Sequence, residues 1–286
     1  MNRYPILMVL FSIAMGSSVA KADDTKPPVG GKYAQVNGLK MYYEVHGAGK
    51  PLVLLHGAFA TAEGWAPLLP ELAKKRQVIV VELQGHGHTA DVDRPLSYKQ
   101  MADDTAALLQ LLKVSSADVF GYSLGGGVAL SLAIDHPELV GKLALLGAGT
   151  KSTKDCYDDA TYKLLKSITP ENFNFPEVKD PYVKVAPDPS KWPVLVTKIM
   201  KMNDDFKGFT EKEVKSIKAQ TLIMMGDRDA VRVEHAIEMY RTIPRSQLAV
   251  FPAGDHFVLF MNAEKVVSTL VSFLDAPLEA KGPGEK

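Results

Sequence analysis

One cysteine, Cys156, stands in 286 residues, so neither an internal disulfide nor a cysteine-rich zinc site can form, and stability has to come from packing. Neither charge is in excess: 33 lysines and arginines face 33 aspartates and glutamates. A balanced chain has nothing with which to neutralise a phosphate backbone or hold an anionic membrane surface, so nucleic acid is not an expected partner. The seven histidines are scattered without the spacing of metal ligands, and neither a metal nor a cofactor is expected. Internal repeats are absent. The apolar run at the start, Ile6 to Met15, would reach roughly half-way across a hydrocarbon core about 30 Å thick at about 1.5 Å per helical residue, so stable membrane insertion is not expected. What the chain does have is a 46% hydrophobic content, enough for a sizeable buried core.

That apolar run follows the positive start Met1-Asn2-Arg3 and precedes the small residues Gly16 to Ala22, the layout of an export signal. Residues 1–22 are expected to be a signal peptide cleaved after Ala22, delivering the protein to the periplasm or outside the cell. Residues 23–31, rich in proline and glycine, read as a flexible leader.

Order is expected to begin near Lys32. Two β-rich runs, Lys32 to Val36 and Leu39 to Val45, flank Asn37-Gly38, a pair that accepts positive φ and marks a tight hairpin. Short apolar runs follow at 52–55, 78–81, 117–120, 143–146, 222–225 and 248–251, alternating with helical patterns such as Tyr98 to Leu112, Val128 to Ile134 and Val266 to Leu274. Ser97, with Gln100 three residues later, forms a capping box for the first of these. Strands that are apolar throughout and alternate with helices imply a parallel sheet covered on both faces, an α/β architecture. Residues 151–218 break this rhythm. They contain no convincing strand, prolines at 170, 176, 181, 187, 189 and 193 chop the helical stretches, and eight aromatics are spread through them. The interval reads as an inserted cap of short helices, whose aromatics either anchor it to the core or touch a substrate. Residues 276–286 read as a flexible tail.

Ala117 to Phe120 runs into Gly121-Tyr122-Ser123-Leu124-Gly125 and then a helix. A turn this sharp forces strained geometry on its central serine, and the flanking glycines let strand and helix approach. The serine hydroxyl is pushed out at the carboxyl end of the sheet, and the N–H of Leu124 points toward a reacting oxygen. Because a serine hydroxyl is a weak nucleophile, it needs a histidine base and a carboxylate to orient that base. His256 follows the last expected strand in a loop at the same sheet edge, whereas the other histidines fall at helix ends, on the second strand or in loops before the serine. Asp227 and Asp229 both follow the run 222–225, and spacing does not separate them.

With this order of serine, acid and histidine, the chain from about Lys32 to Leu274 resembles the α/β-hydrolase superfamily, in its serine-nucleophile, lidded, esterase-like branch. The resemblance implies a mostly parallel eight-stranded sheet with helices on both faces, a core over 32–150 and 219–275, and a helical cap over 151–218. It implies a catalytic triad of Ser123, Asp229 and His256, since the family's Gly-x-x-Asp pattern maps onto Gly226-Asp227-Arg228-Asp229 and leaves Asp227 to brace the loop. The His-Gly turn His56-Gly57-Ala58-Phe59 supplies a second oxyanion donor beside Leu124, the N–H of Ala58 or, failing that, of Phe59. Gln84 to Thr89 resembles a supporting loop of the family, with Glu82 where aspartate is usual. A serine at the nucleophile position argues against dehalogenase-like and epoxide hydrolase-like chemistry, both of which use aspartate. The expected activity is hydrolysis of a small-molecule ester, thioester or lactone, the aromatic cap suiting a bulky or partly apolar group. Carbon–carbon bond hydrolysis and cofactor-free perhydrolysis use the same triad, and a non-catalytic binding protein could use the same scaffold.

Overall fold

The structure, a computed structural model, describes residues 30–278. The expected signal peptide, most of the leader and the end of the tail lie outside the described residues. Eight strands form one sheet: β1 (Gly31–Val36), β2 (Leu39–His46), β3 (Lys50–Leu55), β4 (Arg76–Val81), β5 (Ala117–Tyr122), β6 (Val140–Leu146), β7 (Gln220–Gly226) and β8 (Ser246–Phe251). Their spatial order is β1-β2-β4-β3-β5-β6-β7-β8. The first two strands are antiparallel to each other, and β2 is antiparallel to β4, while every pairing from β4 through β8 is parallel.

The opening hairpin turns on Asn37 and Gly38 at φ 47° and 79°, the left-handed pair that matches the twist of the flanking strands. Gly31, expected to be the last leader residue, instead pairs with Glu44. In β3, Val53 and Leu55 belong to one hydrophobic core and Leu52 and Leu54 to the other. This strict alternation is how a sheet buried on both faces uses a continuous apolar run. Helices Tyr98–Leu111, Leu124–Asp135 and Val233–Thr242 pack with the first face, and the last helix, Ala263–Asp275, with the second.

Ser97 accepts from Gln100 N, but the Gln100 side chain donates to Asp104 Oδ1 at 3.1 Å. Only half of the expected capping box forms, because the Gln100 amide is turned toward buried Asp104 instead of accepting from the exposed Ser97 N–H. The tail expectation also needs correction at its first residue: Ala276 O, together with Phe273 O at 2.7 Å, accepts from the buried Lys142 ammonium, which caps the end of the last helix.

Between β6 and β7 the chain forms a helical insertion with helices Asp159–Lys166, Pro176–Val185 and Trp192–Asp205 as its longest members. Half of its six prolines start helices instead of breaking them: Pro176, Pro189 and Pro193 occupy first-turn positions, where the missing N–H costs nothing, and Pro181 alone lies inside a helix. Phe173, Tyr182, Trp192, Leu195 and Ile199 join the core that covers the first sheet face. The insertion closes at its base, where Lys151 bridges Gly208 and Tyr157 bridges Val231.

Candidate active site

Ser123 lies between β5 and the helix Leu124–Asp135 with φ 53° and ψ −118°. A non-glycine residue held there costs on the order of 1–3 kcal/mol, and the surroundings leave it no alternative. A Cβ on Gly121 would overlap Gly125 O, and one on Gly125 would overlap Leu55 O. Strand, turn and helix are therefore in backbone contact, and the chain reverses in the space of Ser123 alone. Ser123 N donates to Leu146 O at 2.9 Å, joining the turn to β6. Leu124 opens the helix, so its N–H is among the four at that end without an intrahelical acceptor.

The acid turn leaves β7 at Gly226. A Cβ there would overlap Gly254 O, so this turn and the loop carrying His256 are packed backbone against backbone. Asp227 N donates to Phe251 O and Arg228 N to Gly254 O. This knits the two loops together and leaves the Asp227 side chain exposed. The Asp229 carboxylate is fully buried; its Oδ1 accepts from Val231 N at 3.0 Å and lies 2.8 Å from His256 Nδ1. His256 Nε2 in turn lies 2.9 Å from Ser123 Oγ. Spacing left Asp227 and Asp229 equal; in the fold only Asp229 reaches the histidine. Burial lowers the pKa of His256, but the charge and hydrogen bond of Asp229, with the charge of Asp255, outweigh it and hold the imidazole above its usual value.

Tyr122 was not singled out by its sequence position. Its hydroxyl donates to His256 O at 2.9 Å, so the residue before the serine tethers the loop carrying His256. The only signal in the sequence was its place inside the Gly-x-Ser-x-Gly turn.

Gly57 lies beside the serine: a Cβ there would come 3.4 Å from Ser123 Cβ. Its carbonyl accepts from Ala60 N at 3.3 Å and from His56 Nδ1 at 2.8 Å. Since His56 Nε2 accepts from Leu83 N at 3.1 Å, the imidazole carries its proton on Nδ1. Burial pushes its pKa down to about 4. Holding the Gly57 carbonyl from both sides fixes the plane of the peptide that carries the Ala58 N–H. Phe59, next in the turn, has φ 63°.

Glu82 and the loop after it brace this turn. The Glu82 carboxylate is fully buried and accepts from Ala62 N at 2.8 Å and His88 N at 2.5 Å, with His88 Nδ1 at 3.1 Å. Burial lowers the pKa of His88, but Glu82 more than compensates and holds it above the usual value. His235, at the start of helix Val233–Thr242, accepts from Thr150 N at 3.0 Å and lies at the base of the insertion. His136 pairs with Asp103 at 2.8 Å. Neither is part of the Ser123 chain of contacts. Among the described residues there is no group of three histidine, cysteine, aspartate or glutamate side chains placed to hold a metal ion, and no helix is long and apolar enough to cross a membrane.

Residues 50–168 match the family model described as the alpha/beta hydrolase fold. The chain is 27% identical over 257 residues to 2-hydroxymuconate semialdehyde hydrolase of Pseudomonas sp. (strain CF600), covering 83% of this chain and 91% of that one. Among solved structures it is similar to an enol-lactonase from Burkholderia xenovorans LB400, with TM-score 0.68, 22% identity, and coverage of 86% of this chain and 100% of that one. It is also similar to an enzyme described as degrading N-acyl homoserine lactone, with TM-score 0.68, 26% identity, and coverage of 85% and 100%.

Proposed function

The chain belongs to the α/β-hydrolase superfamily, and from that premise we propose that it is a serine hydrolase cleaving a carboxylic ester, thioester or lactone through an acyl-enzyme. The observation that carries this reading is the unbroken chain of contacts from Ser123 Oγ to His256 Nε2 at 2.9 Å and from His256 Nδ1 to Asp229 Oδ1 at 2.8 Å. His256 Nε2 accepts the Ser123 proton as Oγ attacks the carbonyl carbon, and Asp229 stabilises the imidazolium that forms. The oxyanion is held by the N–H groups of Leu124 and Ala58. Collapse of the tetrahedral intermediate expels the leaving group, which takes the proton from His256. Water, deprotonated by the same nitrogen, then releases the acid and restores Ser123.

Hydrolysis of a carbon–carbon bond in a ring-cleavage product is the second reading, favoured by the similarity to 2-hydroxymuconate semialdehyde hydrolase over most of both chains. The aromatic residues of the insertion support a bulky or partly apolar substrate in either case. Residues 1–22 support export of the mature protein from Asp23 onward, which N-terminal sequencing of periplasmic or secreted protein tests.

The test of activity is p-nitrophenyl ester hydrolysis and fluorophosphonate labelling by the parent chain and by Ser123→Ala. Labelling and turnover that both vanish in the variant establish the serine esterase. Labelling at Ser123 without ester turnover, alongside loss of absorbance from a dienoic ring-cleavage product, establishes the second reading. An unlabelled parent chain overturns both and leaves a hydrolase scaffold used for binding.

A further inference from the structure

Gly57, Ala58, Phe59 and Ala60 form a four-residue turn closed by the bond from Ala60 N to Gly57 O. A positive φ of 63° at its third position alone is the pattern of a type II turn, a place that glycine or asparagine fills without strain. Here it is filled by phenylalanine, whose side chain makes the left-handed backbone unfavourable. Something outside the turn has to hold it, and the surroundings of the ring show what does. Phe59 is buried, and its ring lies 4.7 Å from that of Phe173 and 5.4 Å from that of Trp192, centroid to centroid. Both partners belong to the helical insertion. They are fixed to each other by a stacked contact at 6.0 Å and by the Trp192 indole N–H donating to Phe173 O at 2.9 Å. Tyr182 also packs against Trp192, ring centroids 5.3 Å apart.

We propose that Trp192 and Phe173 are positioning residues, clamping Phe59 so that the turn keeps the Ala58 N–H aimed at the oxyanion; this rests on the serine-hydrolase reading above. The cap then does more than cover the substrate. Its aromatic cluster holds one of the two oxyanion donors in place, and any movement of Trp192 away from Phe59 releases the strained turn. A substrate too small to touch the cap still depends on it.

The test uses p-nitrophenyl acetate, whose acyl group is too small to fill a pocket, and the rate of fluorophosphonate labelling, which needs the same oxyanion donors. Trp192→Ala is expected to lower kcat and the labelling rate at least about tenfold, part of the loss seen when an oxyanion donor is removed outright, with KM within about twofold. Adding Phe59→Asn to that variant is expected to restore most of both rates, because asparagine holds the left-handed conformation unaided. Phe173→Leu, a milder change, gives a smaller loss in the same sense and serves if Trp192→Ala does not fold. If both cap variants fold and keep the parent's acetate kcat and labelling rate, the clamp is wrong. A loss that Phe59→Asn does not recover also overturns it, assigning the aromatics to packing alone. An unlabelled Ser123 in the parent chain overturns the proposed function first and the clamp with it, so the two failures are distinct.

Discussion

Asp229 Oδ1 lies 2.8 Å from His256 Nδ1, while Asp227, on the same short turn, faces solvent. The carboxylate that reaches the imidazole fixes which nitrogen carries the proton and stabilises the charged form; the other contributes its backbone to the loop. Asp229→Asn is therefore expected to reduce kcat by about 10³- to 10⁴-fold through the wrong tautomer, and Asp227→Asn by less than about twofold. Steady-state rates of the two variants on one ester check this, and equal losses would contradict it.

The pH profile of kcat/KM follows from His256. It must be neutral to accept the Ser123 proton, and its pKa in the fold is raised, burial being outweighed by Asp229. Activity should therefore fall on the acid side, with a midpoint above the ordinary histidine value of about 6.5 and a slope of one proton. Measurements between about pH 5 and 9 that placed the midpoint below about 6.5 would contradict this assignment.

Two buried histidines set the acid stability. His56 and His86 are neutral in the fold, with burial lowering their pKa values to about 4 and about 3. Unfolded, both take up protons as pH drops below about 6.5, so stability is full above that value and falls as pH decreases toward the folded values. Each is expected to remove about 1.4 kcal/mol per pH unit over that window. Urea midpoints at a series of pH values check the slope, which His86→Leu should make shallower.

The glycine contacts give a prediction about packing. Gly125→Ala and Gly226→Ala each place a methyl group against a backbone carbonyl that cannot move without parting two elements of the site. Each should destabilise the chain by about 3 kcal/mol or more, at the upper end of overpacking effects. Gly64, whose φ is not positive, has only Phe260 Cε1, at 4.0 Å, near the added carbon. Denaturant unfolding of Gly125→Ala beside Gly64→Ala separates the two situations.

Those same elements explain how far the sequence could be read. The parallel strands announced themselves because burial on both faces demands continuous apolar runs, and the serine turn because its geometry admits few sequences. Asp229 could not be separated from Asp227 by spacing: the distinction depends on the Gly226–Gly254 backbone contact, which joins residues far apart in the chain. Phe59 was hidden for another reason. Its left-handed conformation goes against its local preference and is held only by Phe173 and Trp192, more than a hundred residues away. The tether from Tyr122 to His256 O and the capture of Gln100 by Asp104 are likewise tertiary facts.

The bridge between Lys151 and Gly208 brings the two ends of the helical insertion together, and the strands on either side of it, β6 and β7, are direct neighbours in the sheet. An insertion with so narrow a neck can be lengthened, shortened or exchanged during evolution without shifting the register of any strand. Ser123, Asp229 and His256 all lie outside that neck. Lineages could therefore vary what is recognised while inheriting the reaction centre whole, with one condition: each new cap must bring its own support for the residue after Ala58.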